Sequence, residues 1–284
     1  MSARILLPPV LLALLALPAL GPALGQGQDD IFCSNRNGRF PAEQVMAACD
    51  RATADTRQRD SSRAKAFAWR AIAHNRAQNR AAAMADANQA LALDRDNFDA
   101  VSLRAGLHYN AGDFAAALED INRAIALQPQ SYLLYIRRSD IYLRLHRYSD
   151  AIKDADGEYP YGGGPLLNQR CRARAVAGVE FEKARLACSQ ALWTTPDAPA
   201  PLNTRGLLGL REKRFDLAWR DFNTVVVANP GNARALYGRG LAAIGLKREA
   251  EGQADMAAAL AINANIATGF ADDGVTAKTV MAQQ

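Results

Sequence analysis

Histidine is scarce in this chain, and the motifs that usually accompany catalysis are missing from its sequence. The 284 residues include 3 histidines, and none of them belongs to an HExxH metal-binding motif. There is also no GxSxG motif and no cysteine–histidine pairing of the kind that activates a thiol. The glycines at 162–164 are not followed by Lys-Ser or Lys-Thr, so they do not form a phosphate-binding loop. We therefore expect a protein that is not an enzyme and that uses no cofactor or metal.

Aromatic residues are also few, which bears on the fold class. They make up 7% of the chain, while hydrophobic residues make up 49%. Such a composition does not favour a strand-rich fold, and the alanine-rich segments indicate closely packed helices.

Only one apolar run approaches the length of a membrane span. It covers residues 5–24, follows Arg4 and ends in the small residues around Gly25. We interpret 1–25 as a signal peptide and expect a periplasmic or secreted protein with no stable membrane insertion after cleavage. An uncleaved run would instead serve as a membrane anchor, although its four prolines weaken it as a helix.

The charge is modest and well mixed. The formal net charge is +5, and removal of Arg4 with the signal peptide would leave +4. No dense basic run is present, so we expect no nucleic acid partner and only a mild preference for an acidic protein or peptide.

The four cysteines fall into two pairs. Cys33 and Cys49 are 16 residues apart, and Cys171 and Cys188 are 17 apart. In an oxidising compartment we expect both pairs to be disulfides that each stabilise the fold by about 3 kcal/mol. Buried free thiols and a four-cysteine zinc site are the alternatives, and the zinc site lacks the usual C-x2-C spacing.

A helical hairpin is the unit from which the chain is built. Two apolar-periodic segments, 100–110 and 114–127, flank a turn at Gly112, and Pro129 follows the second. The pattern returns with a period of about 34 residues. We predict six repeats at 64–97, 98–131, 132–164, 165–198, 199–232 and 233–266. They would follow a degenerate, disulfide-tied hairpin at 26–63 and precede a capping segment and flexible tail at 267–284.

A glycine- and proline-rich segment, 157–165, interrupts the third repeat. It cannot continue a helix, so we predict an exposed, irregular corner and interpret it as a linker. The alternative is that Tyr159 and Tyr161 form a binding edge for a small ligand or a reaction.

The period and the residue pattern resemble the tetratricopeptide repeat. In that family the first helix carries a large, a small and an aromatic residue, and the second carries Ala, an aromatic and Ala before a closing Pro. The matching residues of the second repeat are Val101, Ala105, His108, Phe114, Ala117, Ile121, Ala124 and Pro129. Those of the fifth repeat are Leu202, Gly206, Gly209, Phe215, Ala218, Phe222, Val225 and Pro230. The first, third and sixth repeats lack the closing Pro.

The resemblance implies an all-α, right-handed superhelical solenoid of antiparallel helix pairs, whose concave groove usually recognises a peptide or a partner protein. We expect a non-enzymatic protein-interaction scaffold in the cell envelope, or alternatively a small-ligand binder or enzyme at 159–164 or a self-assembling envelope component. The groove positions that carry over are Lys65, Trp69, Arg76, Tyr109, Arg137, Asp140, Arg144, Gln169, Arg170, Asn203, Arg211, Arg234 and Tyr237.

The groove does not match the two-carboxylate clamp that chaperone-tail receptors of this family use. Ala68 and Ile72 stand where its Lys and Asn would be in the first repeat. What remains is a basic groove, in which each guanidinium would bind a carboxylate of the partner unless it is solvated or paired locally. Its members are Arg137, Arg144, Arg170 and Arg211.

Overall fold

The computed structural model describes residues 26–35, 38–193 and 195–282. Within these ranges the chain forms sixteen α-helices and no β-strand, which confirms the all-α prediction. The predicted signal peptide, 1–25, lies outside the described residues. No helix in the described part is long and apolar enough to cross a membrane.

Seven antiparallel hairpins succeed one another along the chain, and two short helices follow them. The first hairpin pairs α1 (Gln26–Ser34) with α2 (Ala42–Ala54). The six that follow are α3 (Asp60–Arg76) with α4 (Arg80–Leu93), α5 (Phe98–Ala111) with α6 (Phe114–Leu127), α7 (Tyr132–Arg144) with α8 (Tyr148–Asp156), α9 (Gly163–Ala177) with α10 (Phe181–Trp193), α11 (Pro199–Arg211) with α12 (Phe215–Ala228), and α13 (Ala233–Gly245) with α14 (Glu249–Ile262). The last two helices are α15 (Ile266–Asp272) and α16 (Ala277–Met281).

Small residues let the two helices of a hairpin approach each other closely. Ala105 is buried between α5 and α6, and Gly206 takes the equivalent place in α11. A Cβ atom on Gly206 would lie 2.7 Å from the ring of Phe222, so a larger residue would push α11 and α12 apart. The predicted pattern of small residues therefore has a direct packing cause.

The first helices of successive hairpins form the inner surface of the solenoid. Helices α1, α3 and α5 pack in one row, and α7, α9, α11 and α13 pack in another. The second helices make no comparable contacts with one another within the described residues. They lie on the outer side, so the concave surface is lined by first helices.

An ion-pair ladder fixes the register of the hairpins. In five hairpins an arginine of the first helix makes a bidentate pair with an aspartate 16 residues later in the second. The aspartate side chains are only 5–13% exposed, so the loss of either partner would leave a buried charge unpaired. These pairs, here called the arginine ladder, are Arg70–Asp86, Arg104–Asp120, Arg138–Asp154, Arg205–Asp221 and Arg239–Asp255.

The hairpin of α9 and α10 departs from this pattern. Its turn has one extra residue: Phe181 begins α10 three residues after the left-handed residue Gly178 (φ 72°), whereas Phe114 begins α6 two residues after Gly112 (φ 82°). A disulfide between Cys171 and Cys188 joins the two helices with a Cα–Cα distance of 5.3 Å. It takes the place of the apolar contact that Ala105 makes in the second repeat.

Both predicted disulfides are present. Cys33 and Cys49 join α1 to α2 with a Cα–Cα distance of 4.7 Å, and Cys171 and Cys188 form the second bond. All four thiols are thereby used, so neither the free-thiol nor the four-cysteine zinc alternative holds.

Two predicted boundaries need correction. The first helix of the first repeat begins at Asp60, not at residue 64, because Arg59 is already extended and the helical bonds start there. The tail from Thr276 is not simply flexible: Thr276 caps α16 with a capping box, and Val280 is 1% exposed. A tail that buries its apolar side chain is part of the folded structure.

Candidate functional site

The concave surface has two halves that differ in what covers them. The open half comprises the faces of α1, α3, α5 and the start of α7 and is marked by Trp69, Arg76, Tyr109 and Arg137. The occupied half comprises the faces of α9, α11 and α13 together with the end of α7, and residues 266–281, here called the C-terminal segment, lie against it.

The C-terminal segment inserts an aromatic side chain into the occupied half. Phe270 is fully buried, with its ring 5.2 Å from the ring of Tyr237 and 6.4 Å from that of Phe222. The guanidinium of Arg234 lies 4.9 Å from the centre of the Phe270 ring. At Gly274, which has a φ of 80°, the chain then turns so that α16 packs against α13.

Two carboxylates next to Phe270 pair with arginines of the groove. Asp273 lies 2.6 Å from Arg234 and 3.7 Å from Arg172. Asp272 lies 2.8 Å from Arg144 on α7. The segment therefore supplies two negative charges to a surface that would otherwise present unmatched positive charge.

The backbone of the segment adds a further contact. Arg211 of α11 donates to the carbonyl oxygen of Gly274 at 2.7 Å. Arg144, Arg211 and Arg234, all of them predicted groove residues, are thus already bound within the chain.

Arg172 is the centre of the charge network beneath the segment. Its Nε donates to Asp140 at 3.2 Å, and Gln169 donates to the same carboxylate at 2.9 Å. Burial by itself would lower the pKa of Arg172, but Asp140 and Asp273 outweigh burial and hold this pKa above its ordinary value. At Arg234 burial is the larger effect, so its pKa is lowered although Asp273 opposes the change. The network thus balances three guanidiniums with three carboxylates, two of which come from the C-terminal segment.

Two cavities lie in the described part of the open half. The first has a volume of about 250 Å³, lies against the α1–α2 hairpin and is lined by Trp69, Ile72, Arg76 and Asp99, among others. Trp69 packs on the apolar cluster around the Cys33–Cys49 disulfide, which fixes one wall of this cavity.

The second cavity, of about 220 Å³, lies between α5 and α7 and is lined by Gly106, Tyr109, Arg137 and Asp140. Gly106 has no side chain to fill the space, and the Tyr109 ring is held at 5.5 Å from Phe114. Burial, and after it the charge of Asp140, raises the pKa of Tyr109, so its hydroxyl stays a neutral hydrogen-bond donor at physiological pH.

Arg137 is exposed and makes no ion pair with any described residue. It stands beside the second cavity, where a Cβ on Gly106 would lie 3.6 Å from its Nη1. Of the four arginines predicted to form a basic groove, this one alone remains available to a partner in the described structure.

Most of the remaining predicted groove residues are bound within the fold or buried. Arg170 donates to the carbonyl oxygens of Ala155 and Gly157 at 3.0 and 3.2 Å, and so caps the C-terminus of α8. Gln169 and Asn203 are 3% and 8% exposed, which leaves them little surface for a partner. Lys65 is exposed on α3 near Asp30, at the edge of the open half.

The sequence interpretation missed Arg172, and although it predicted a capping segment at 267–284 it did not place that segment in the groove. Arg172 was missed because the extra residue in the turn at Gly178 shifts α9 by one position relative to α10. The separation of 17 residues between Cys171 and Cys188, against 16 between Cys33 and Cys49, is the signal that would have corrected it. The adjacent carboxylates Asp272 and Asp273, placed after a large aromatic residue, were the signal for the segment.

The glycine-rich corner is a packed turn. Helix α8 ends at Asp156, and the ring of Tyr159 stacks on that of Tyr135 at 4.2 Å. Burial raises the pKa of Tyr159 to about 12, so its phenol stays protonated at physiological pH. Tyr161 is 95% exposed and projects alone from the corner.

Solved structures place this architecture among tetratricopeptide repeat folds. A tetratricopeptide repeat protein from Parabacteroides merdae ATCC 43184 has a TM-score of 0.69 and 14% sequence identity, over 91% of this chain and 98% of its own. PilW, a type IV pilus biogenesis factor, has a TM-score of 0.58 and 18% identity, over 70% and 92%. Pseudomonas aeruginosa pilF has a TM-score of 0.54 and 14% identity, over 78% and 97%.

No protein-family model matches the chain, and no curated protein matches its sequence. The structural similarity shows that the chain has the tetratricopeptide repeat fold.

Proposed function

We propose that this protein is a non-enzymatic interaction scaffold that holds a peptide or a segment of a partner protein on the open half of its concave surface. The observation that carries the proposal is the pair of cavities along α3, α5 and α7. They lie on the inner faces of successive first helices and are already shaped in the unbound chain.

The open half offers the side chains that peptide recognition uses. Trp69 and Tyr109 present half-buried aromatic surface, which binds apolar side chains with little loss of conformational entropy. Both are held by neighbouring residues, so binding would not require the repeats to rearrange.

Charge favours an acidic partner. Lys65, Arg76 and Arg137 are exposed on this half, and none of them forms an ion pair with a described residue. Asp140, the carboxylate beside Tyr109, is already bound by Arg172 and Gln169. An approaching carboxylate would therefore meet free guanidinium donors, and Arg137 stands closest to the second cavity.

We place the protein in the periplasm or outside the cell. Two disulfides are stable in an oxidising compartment and rare in the cytosol. The apolar run at 5–24 fits export of the chain.

Capture experiments on the full mature chain test the proposal. A tagged protein is cross-linked mildly in the cell envelope, and the captured polypeptides are compared between the wild type and a Tyr109→Ala, Arg137→Glu double variant. Arg95→Glu is the matched control, because Arg95 is exposed in the loop between α4 and α5, away from both cavities.

We expect specific polypeptides to be captured by the wild type and the control and lost from the double variant. Equal capture by all three proteins would show that the open half is not the binding surface.

A further inference from the structure

A third cavity lies outside the concave surface, between α10, α11 and α12. Its volume of about 420 Å³ exceeds that of either cavity in the open half. Four arginines and two carboxylates line it, which leaves two unmatched positive charges. The charged residues are Arg185, Arg205, Arg214, Arg220, Glu212 and Asp221.

This cavity lies beside Arg205, a member of the arginine ladder that lacks a hydrogen bond found at three other ladder positions. At three positions of the ladder the arginine uses its remaining Nη1 to donate to an asparagine 16 residues earlier, in the preceding hairpin, at 2.8–2.9 Å. These bonds are Arg104 to Asn88, Arg138 to Asn122 and Arg239 to Asn223. Each one closes the space between two successive hairpins.

Arg205 has no such partner because Ser189 stands at the asparagine position. The serine side chain is too short to reach it, and no bond from Arg205 Nη1 occurs within the described residues. The Arg205 side chain is accordingly 40% exposed, against 18–24% for the other four arginines of the ladder. The substitution therefore leaves a guanidinium edge that faces open space.

Two more arginines reach this space, Arg214 from the residue before α12 and Arg220 from α12 itself. Arg214 is 47% exposed and lies 4.0 Å from Glu212, while Arg220 is exposed and forms no ion pair in the described part of the chain. The equivalent positions of the second repeat are Asp113, just before α6, and Glu119 on α6, so that hairpin has the opposite charge there.

Arg185 and Glu212 form the wall of the cavity. Arg185 pairs with Glu212 and with Glu182, which keeps it in place. Arg185 stands where α6 has the apolar residue Leu118, so a polar wall replaces part of the usual contact between hairpins.

We propose that this cavity is an anion site that binds a phosphate group. The donors come from separate places, Arg205 on α11, Arg214 just before α12 and Arg220 on α12, so they approach from different directions. A phosphate group has three terminal oxygens that point in different directions and can accept from all three guanidiniums, whereas both oxygens of a carboxylate lie in one plane. The site lies away from the open half and does not depend on the function proposed for it.

Calorimetric titration of the full chain with inorganic pyrophosphate tests the proposal. The decisive variant is Ser189→Asn, which restores the missing acceptor of the ladder and closes the cavity. We expect it to weaken pyrophosphate binding at least about tenfold, or about 1.4 kcal/mol, while the melting temperature rises or stays unchanged. A variant that loses binding while gaining stability cannot be explained by unfolding.

The second variant, Arg214→Gln with Arg220→Gln, removes two donors and leaves the bidentate pair of Arg205 intact. It should also weaken binding at least about tenfold. Asn122→Ser is the control, since it opens the intact ladder position beside Arg138 and should leave pyrophosphate affinity unchanged.

Vesicles of phosphatidylcholine with and without phosphatidic acid distinguish the two sources of a phosphate group. Cosedimentation that requires phosphatidic acid and is lost in Ser189→Asn would assign a lipid headgroup, and saturable binding of pyrophosphate alone would assign a soluble ligand. The proposal is overturned if neither probe binds, or if the wild type and Ser189→Asn bind equally.

Discussion

The open and occupied halves of the concave surface are built from the same repeated helix, yet they differ in the side chains they present and in whether another segment covers them. Near the ends of α5, α7 and α11, equivalent positions hold Asn110, Arg144 and Arg211. The asparagine lies beside an empty cavity, whereas the two arginines bind the C-terminal segment. Equivalent positions of the repeat thus lie on a surface that no described segment covers and on one that the C-terminal segment covers.

A repeat pattern therefore locates a groove without showing whether another part of the chain covers it. In the occupied half three guanidiniums would repel one another without Asp272 and Asp273, so the fold needs an acidic occupant there. Among the described residues, the open half has no comparable cluster of charge, and it remains exposed.

Removal of the Phe270 ring, which anchors the C-terminal segment in the occupied half, should cause the largest loss in the free energy of unfolding. Phe270→Ala would leave a cavity between Tyr237 and Phe222, and a buried Phe truncated to Ala costs about 3–5 kcal/mol. Urea unfolding followed by circular dichroism measures the loss. Ile262→Ala is the control, because Ile262 is 53% exposed and its truncation should change stability by about 0.5 kcal/mol or less. A loss for Phe270→Ala no larger than that of the control would mean that the segment is not held by its aromatic ring.

The two carboxylates of the C-terminal segment should contribute differently to the stability of the fold. Asp273 is 4% exposed beside two arginines, so Asp273→Ala leaves buried positive charge and should cost about 3 kcal/mol. Asp272 is 39% exposed, and Asp272→Ala should cost about 1 kcal/mol or less. Thermal unfolding of the two variants side by side checks the difference. Equal losses would contradict the assignment of Asp273 as the central charge of the occupied half.

The sequence predicted the open half better than the occupied one. Trp69, Arg76, Tyr109, Arg137 and Asp140 follow from regular repeats, where one period carries every position to its place, and all five line the two cavities. The helical hairpins were also predictable, because small residues and turn residues recur with the period.

The occupied half was not predictable from the period. The extra residue in the turn at Gly178 shifts α9, so that Arg170 caps α8 while Arg172 faces the charge network. The contact between Asp272 and Arg144 joins residues of distant repeats, and no local pattern reports a contact set by the curvature of the whole solenoid.

Charge reversal should be tolerated in the open half and less so in the occupied half. Arg137→Glu changes an exposed side chain without an ion pair, so we expect the free energy of unfolding to change by about 0.5 kcal/mol or less. Arg144→Glu would face Asp272 with a like charge and should cost about 1 kcal/mol, an amount that added salt reduces. Urea unfolding at low and high ionic strength measures both. A larger loss for Arg137→Glu would show that Arg137 has a structural role and is not free for a partner.

The smallest expected effect is a change in the pKa of Tyr109 in the open half that Tyr237 in the occupied half does not share. Burial raises the pKa of Tyr109 and of Tyr237, but at Tyr109 the charge of Asp140 adds to the effect of burial. Asp140→Asn should therefore lower the pKa of Tyr109 toward the ordinary value of about 10 and leave that of Tyr237 unchanged. NMR titration of labelled tyrosines measures both values, with Tyr109→Phe to assign the signal.

The same two shifts fix the direction of the stability change at high pH. Because each folded-state pKa lies above the unfolded value, the unfolded chain releases these protons first, and stability falls as the pH rises above about 10. The part of this loss that arises from Tyr109 should shrink in Asp140→Asn, since its folded-state pKa then lies nearer the unfolded one. Equal shifts at Tyr109 and Tyr237 in that variant would mean that Asp140 acts on the whole fold, and the electrostatic distinction between the two halves would then be lost.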